Sequence, residues 1–165
     1  MGLFDFTKKI FGNKYDKDLK EITPTINKIK EVYPSIQSLS NDELRSKTAE
    51  FKNIIKEGTA SIYNEIEELK KSIQNDNLSP SEKEGVFAQI DQLELKKVST
   101  TEEILETILP EAFSVVKETA SRFSSGPIEV TANEFDKDLS AQYSNVTIQG
   151  DKAILEFKNF ENQIK

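Results

Sequence analysis

The 165-residue sequence combines a low apolar fraction, 36%, with 31% charged residues and a net charge of −7. This composition favours exposed helices over a thick core. The sequence has no Cys and no His, which excludes disulfides, thiol catalysis, Cys/His metal sites and Ser-His or Cys-His catalytic machinery. The acidic balance argues against a general nucleic-acid-binding protein, because such a protein needs a basic face.

The charge is uneven, and the first residues are basic. Residues 1–30 contain seven Lys and four acidic residues, whereas residues 57–111 contain five Lys and thirteen acidic residues. On a helix over residues 3–11, the large apolar side chains share one arc, with Lys8 and Lys9 at its sides. The arc holds Leu3, Phe4, Phe6, Ile10 and Phe11. Two interpretations stay open: a helix on a membrane or partner surface, and a terminal helix docked on its own protein.

Two helices are predicted next. Residues 16–38 have apolar positions every three or four residues, and Pro24 and Pro34 are expected to kink or restart this helix. Ser40 and Glu43 form a capping box that begins a second helix. Its apolar stripe is Leu44, Thr48, Phe51 and Ile55, and Gly58 is expected to end it.

Residues 60–98 predict an antiparallel helical hairpin. The outgoing stripe is Ile62, Ile66, Leu69 and Ile73, and the returning stripe is Val86, Phe87, Ile90 and Leu93. Between them, Ser79 is a good N-cap, Pro80 suits the first helical position and Glu82 completes a capping box. The many Glu and Lys residues on the other faces are interpreted as a solvated surface.

A further helix is predicted from Ser99 or Thr100 to Phe123, with a possible break at Pro110. Its expected inner face contains Ile104, Ile108, Phe113, Val116 and Ala120. After Gly126 the pattern predicts a short strand and then a short helix whose start has a capping box of Thr131 and Glu134. A β-hairpin with its turn at Gly150 and Asp151 follows. Ala153, Leu155 and Phe157 are expected on one face of that hairpin.

The sequence therefore predicts a mainly α (α+β) fold. It consists of a helical N-terminal region, an antiparallel helical hairpin and a small C-terminal βαββ-like element. No P-loop and no GxGxxG motif occurs. Adjacent pairs such as Glu67-Glu68 point to different sides of a helix and are poor acid/base partners. Nothing in these residues supports catalysis by this chain alone.

Two stretches resemble the beginning of SecA, the ATP-driven motor of bacterial preprotein translocation. They are "LSNDELRSKTAEFK" (Leu39 to Lys52) and "ILPEAFSVVKETASR" (Ile108 to Arg122), and "KKIFG" (Lys8 to Gly12) is similar to the family's opening basic helix. The resemblance covers about residues 1–58 and 102–123. It is interrupted by the 60–100 hairpin and followed by the βαββ-like element. We expect an N-terminal fragment carrying insertions, which ends before the ATP-binding motifs.

The resemblance implies roles for particular residues. It implies that the first helix contacts acidic phospholipid and the Sec channel complex, and often a second copy in a homodimer. The matching positions are Leu3, Phe4, Phe6, Lys8, Lys9, Ile10, Phe11 and Lys14. It also implies structural docking on the rest of the motor through Leu44, Phe51, Phe113 and Val116. The longer parent would use ATP and Mg²⁺ and move preproteins. No nucleic-acid partner is expected, in agreement with the acidic charge of this chain.

These implications define the expected organisation. Residues 1–58 form the amphipathic helix and scaffold helices, 59–100 the inserted hairpin, 101–124 the helix preceding the motor core, and 125–165 the βαββ-like insertion. The fragment would hold no cofactor and would be cytoplasmic, attached peripherally to the inner (plasma) membrane. The alternative is a free-standing acidic helical interaction module, with the hairpin as its binding arm.

Overall fold

A computed structural model describes residues 14–74 and 78–156. Three long helices come first: α1 (Lys14–Gln37), α2 (Asn41–Ile73) and α3 (Pro80–Ser125). They are followed by β1 (Ile128–Thr131), α4 (Glu134–Gln142), β2 (Val146–Gln149) and β3 (Lys152–Leu155). The predicted mainly α fold with a small β element is confirmed.

The predicted starts of two helices are confirmed by their caps. The Ser40 N–H donates to Glu43 Oε2 at 2.7 Å, and the Glu43 N–H donates to Ser40 Oγ at 3.2 Å. Ser79 and Glu82 repeat this box at 2.8 and 3.3 Å, with Pro80 as the first residue of α3. Each box satisfies N–H groups that have no partner within the helix.

Three predicted interruptions are wrong. The helix does not end at Gly58 but continues to Ile73, and none begins at Ser99 or Thr100, because α3 runs unbroken from Pro80. The Ser99 and Thr101 hydroxyls donate to the carbonyls of Lys96 and Lys97 instead of capping a new helix. Pro110 lies buried inside α3 without breaking it.

The first helix also tolerates its prolines. Pro24 and Pro34 both lie inside α1, which is assigned as one helix over 24 residues. Each proline removes one backbone N–H donor, yet neither restarts the helix. The apolar stripe is exposed at Leu19, Ile22 and Ile26, and becomes buried only at Ile36, which is 2% exposed.

The chain divides into two compact units. One contains residues up to Leu44 together with Phe113 onward, and the other is Arg45–Ala112. The core of the second unit confirms the predicted hairpin, since Ile62, Ile66 and Ile90 are buried against one another. Leu69, Ile73, Val86 and Leu93 pack around them. Phe87, predicted for this stripe, is instead 54% exposed.

Gly58 is a packing glycine in the second unit. A Cβ built on it would lie 2.4 Å from Ile104 Cδ1. Ile104 Cδ1, the end of a flexible side chain, occupies the space that a Cβ would take, so a residue with a side chain would have to displace it. Glycine, which costs about 1 kcal/mol relative to Ala in a helix interior, avoids this displacement.

Enlarging Gly58 tests this contact. We expect Gly58→Leu to lower the free energy of unfolding by about 1–3 kcal/mol, because a leucine overpacks the α2–α3 contact. Gly85→Leu is the matched control, since nothing lies within 4 Å of a Cβ at that helical position. Urea unfolding followed by circular dichroism measures both. Equal stability of the two variants would contradict close packing at Gly58.

The C-terminal sheet belongs to the first unit and has the order β1-β3-β2, with both pairs antiparallel. The predicted turn is confirmed: Gly150 has φ +63°, a conformation that favours glycine. Ala153 on the central strand pairs with Val130 on one side and Ile148 on the other. It is fully buried with Ile128 and Val130, while Leu155 packs against them. Phe157 lies outside the described residues.

The predicted capping box of α4 is shifted by two residues. Asn133, not Thr131, is the N-cap, and it exchanges hydrogen bonds with Asp136 at 3.0 Å in both directions. Thr131 is the last residue of β1, and its hydroxyl donates to Asp42 Oδ2 at 2.7 Å. The threonine is thus committed to a tertiary contact, and the pattern Thr-x-x-Glu is not a cap here.

Candidate interaction surface

The candidate membrane or channel residues precede the described part of the chain. Leu3, Phe4, Phe6, Lys8, Lys9, Ile10 and Phe11 lie outside it. Lys14 is the first residue of α1, and only its backbone is described. Within the described ranges, no helix is long and apolar enough to span a bilayer.

The four candidate docking residues separate into two groups. Leu44 is buried at 5% exposure, and Phe51 is half-buried. Phe113 and Val116 are 58% and 67% exposed, so their prediction as part of the inner face of the helix is wrong. Ala120, predicted beside them, is exposed as well.

Phe113, Val116 and Ala120 lie three and four residues apart and therefore share one side of α3. We call these three residues the docking face. The opposite side of this part of α3 carries Ser114, Val115 and Glu118, which are all buried. The helix thus buries two polar side chains, Ser114 and Glu118, beside Val115, and presents apolar side chains outward.

Arg122 organises the polar side. Its Nε donates to Glu118 Oε1 at 2.8 Å, one turn earlier on α3. The other guanidinium nitrogens donate to Asn41 Oδ1 and the Leu39 carbonyl, both at 2.7 Å, and to the Gln37 carbonyl at 3.3 Å. One side chain therefore binds the end of α1, the following loop and the start of α2.

Glu118 is buried, and Arg122 and Tyr33 both donate to it. The Tyr33 hydroxyl donates to Glu118 Oε2 at 2.9 Å. The hydrogen bond from Arg122, reinforced by the one from Tyr33, holds the pKa of Glu118 below its ordinary value. The same carboxylate raises the pKa of Tyr33, because it stabilises the protonated phenol. Lys117 Nζ lies 3.7 Å from the centre of the Tyr33 ring, which adds a cation–π contact.

The start of α2 also holds β1. Asp42 accepts the Thr131 N–H at 2.8 Å, and Asn41 Nδ2 donates to the Glu129 carbonyl at 2.9 Å. These bonds connect residues 88 and 89 positions apart. Together with the Arg122 contacts, they connect the start of α2 to α3 and to β1.

An open cleft of about 320 Å³ lies beside this network, lined by Asn41, Glu118, Arg122 and residues 125–128 among others. A guanidinium has five N–H donors, and the contacts above engage four of them. The cation is therefore committed to the protein and is poorly placed to bind an anion. The described residues include no cluster of acidic side chains that could hold a metal ion. We interpret the network as structural.

The Arg122 network was not predicted from the sequence. The one local signal was the spacing of Glu118 and Arg122, four residues apart on a helix. The partners at Asn41, Leu39 and Gln37 are 81, 83 and 85 residues away. No local pattern points to them.

Comparison with known proteins identifies the family. The SecA DEAD-like domain matches residues 7–144. "Protein translocase subunit SecA" of Phocaeicola vulgatus is 49% identical over 156 residues, which is 93% of this chain and 14% of the relative. The same-named proteins of Parabacteroides distasonis and Christiangramia forsetii are 47% and 42% identical, with the same coverage. No solved structure matches.

The length of the match shows that the hairpin is similar to part of these relatives. A match to 93% of the chain leaves 7% of 165 residues, about 12, outside it. Most of residues 59–100 therefore lies inside the similarity to these relatives. The chain spans 14% of the length of the relatives it matches. The SecA DEAD-like domain matches most residues of the chain, and the chain therefore belongs to the SecA family.

Proposed function

We propose that this chain is the N-terminal scaffold of a longer SecA-type translocase subunit that moves preproteins through the membrane Sec channel. ATP and Mg²⁺ would bind to the part of the protein that lies beyond this segment. The family match over residues 7–144 and the 14% share of the relatives' length carry this proposal. The segment itself would supply attachment and support rather than catalysis.

The docking face supplies the structural argument for support. Phe113 and Val116 are more than half exposed, although the same stretch of α3 buries Ser114 and Glu118. They belong to the "ILPEAFSVVKETASR" segment (Ile108 to Arg122) that resembles the family. Because exposed aromatic and aliphatic groups on one helix side mark an interaction surface, we place the rest of the motor against this face.

The docking face can be tested with the remainder of a relative. We expect Phe113→Ser/Val116→Ser to weaken binding of this chain to the Phocaeicola vulgatus protein lacking its matching segment by about 100-fold, since two apolar side chains lose their burial. Phe135→Ser/Tyr143→Ser is the control, because Phe135 of α4 and Tyr143, the residue after that helix, are similarly exposed, at 64% and 54%. Isothermal titration calorimetry measures both. Equal weakening by the control pair would contradict docking at this face.

We further propose that the N-terminal residues attach the protein to the membrane. The apolar residues Leu3, Phe4, Phe6, Ile10 and Phe11 would enter the lipid interface or the channel. Lys8, Lys9 and Lys14 would meet acidic headgroups. The protein would then be cytoplasmic and peripheral to the inner membrane, and a second copy is a further proposed partner of these residues.

The reading frame decides between this proposal and a free-standing acidic interaction module. A frame that continues beyond Lys165 into a "GEGKT"-like phosphate-binding loop is expected for the translocase. A stop codon directly after Lys165 would favour the interaction module instead.

A further inference from the structure

The outward side of the hairpin in α3 carries a regular stripe. Six exposed or half-exposed residues follow one another at intervals of three or four positions, which places them along one side of the helix. They are Phe87, Asp91, Glu94, Val98, Glu102 and Leu105. We call them the hairpin stripe.

The apolar members of the hairpin stripe do not belong to the hairpin core. Phe87, Val98 and Leu105 are 54%, 52% and 44% exposed. The core is made by Ile90 and its neighbours, which face Ile62 and Ile66. Exposed apolar side chains that repeat along one helix side have the spacing with which a helix binds another helix.

A residue of α2 extends this surface. Lys70 Nζ lies 4.0 Å from Glu94 Oε1, so Lys70 and Glu94 lie on the same side of the hairpin. Tyr63 precedes Lys70 by seven residues, or about two helical turns, and therefore shares its side of α2. Tyr63 is 56% exposed. The hairpin stripe and Tyr63 together form a surface shared by two helices.

The charge of this surface limits its ligand. Residues 57–111 contain thirteen acidic residues and five Lys, a net charge of −8. Asp91 and Glu102 lie exposed among the apolar members of the hairpin stripe. Anionic lipid, nucleic acid and the same surface of a second copy would be repelled. A purely apolar helix would remove carboxylates from water without a partner.

We propose that the hairpin stripe binds a basic amphipathic helix of a partner protein. Such a helix places apolar side chains on Phe87, Val98 and Leu105, while its Lys or Arg residues meet Asp91 and Glu102. The apolar contacts supply affinity, and the charge pairs set orientation and exclude acidic competitors.

A designed peptide tests the proposal on the whole chain. The probe is an 18-residue fluorescein-labelled helix with Leu every three or four positions and Lys elsewhere; its counterpart has Glu in place of Lys. We expect saturable binding of the Leu/Lys peptide by fluorescence anisotropy, weakened by salt, and no saturable binding of the Leu/Glu peptide.

Two variants separate the apolar and charged contributions. Val98→Ser/Leu105→Ser should weaken binding of the Leu/Lys peptide about tenfold. Asp91→Asn/Glu102→Gln should weaken binding of the same peptide about threefold to tenfold at low salt. The control Glu65→Gln/Glu103→Gln removes two exposed charges from other sides of the same helices. It should change affinity less than about twofold. Unchanged helicity by circular dichroism confirms that each variant is folded.

The proposal is overturned if wild type shows no saturable binding, if both peptides bind equally, or if the control weakens binding as much as Asp91→Asn/Glu102→Gln. Sedimentation of wild type gives a further outcome. Self-association that Val98→Ser/Leu105→Ser abolishes would assign this surface to a second copy and would also overturn the proposal.

Discussion

Replacing Arg122 with Ala is expected to lower the free energy of unfolding by about 2–4 kcal/mol, a large effect for one residue. The change removes the donor to Glu118, which is 8% exposed, and leaves that carboxylate buried with less compensation. It also removes the donors to the Gln37 carbonyl at the end of α1 and to the Leu39 carbonyl in the following loop. Urea unfolding and hydrogen exchange of the α1–α2 loop measure the loss.

The control for Arg122→Ala is a substitution in a surface ion pair of the same unit. Lys137 and Glu134 lie 2.7 Å apart, but their side chains are 55% and 89% exposed. Lys137→Ala should therefore change the free energy of unfolding far less than Arg122→Ala. Arg122→Lys should recover only part of the loss, because an ammonium cannot reproduce the planar arrangement of guanidinium donors. Full recovery by Lys would contradict a role for the several directed hydrogen bonds.

Lowering the pH should reduce the difference in free energy of unfolding between wild type and Arg122→Ala. The pKa of Glu118 is lowered in the folded protein, chiefly by Arg122. Its stabilising contribution is therefore present above the unfolded-state pKa, about 4.3 for Glu, and is lost as pH falls through the lower folded value. Unfolding at several pH values below neutrality should show the two stabilities converging at the acidic end. A constant difference would show that the Arg122 contribution does not depend on the Glu118 charge.

Reversing the charge of Lys8 and Lys9 should strongly reduce binding to anionic membranes. Each lysine near such a surface contributes about 1 kcal/mol, so losing two attractions alone weakens binding about 30-fold. Wild type should float with phosphatidylglycerol vesicles, float poorly with phosphatidylcholine vesicles, and dissociate as salt screens the attraction. Lys8→Glu/Lys9→Glu should remain at the bottom of the gradient.

The matched control for membrane binding is Lys71→Glu/Lys96→Glu. It changes the net charge by the same amount at two exposed hairpin positions. It should bind phosphatidylglycerol vesicles nearly as well as wild type. If both double variants lose binding equally, net charge alone is responsible, and the proposed membrane role of the N-terminal residues is wrong.

Local chemistry made several elements predictable. The boxes at Ser40 and Ser79 depend on residues three positions apart, so the starts of α2 and α3 are encoded within one helical turn. The turn at Gly150 is equally local, because glycine alone readily adopts its positive φ. Hairpin residues such as Ile62, Ile66 and Ile90 repeat with the helical period and were correctly placed in the core.

Interruptions were the least predictable features of the fold. Gly58, Ser99 and Pro110 are unfavourable in a helix or favoured at its ends, yet all three lie inside helices. At Gly58, the side chain of Ile104, 46 positions later, fills the space that a Cβ would occupy, and no local pattern shows this contact. Helical periodicity likewise could not tell whether Phe113 and Val116 face the core or the outside.

The sequence alone determined the mainly helical fold, the hairpin, the β-turn and the resemblance to SecA. These features depend on residue types at short spacing, where the chain's own geometry brings groups together. Only the tertiary structure decided that α2 and α3 run without a break, that the docking face is exposed, and that Arg122 joins three segments. The Gly58 and Arg122 contacts connect residues 46 to 85 positions apart, and no short spacing in the sequence reveals such contacts.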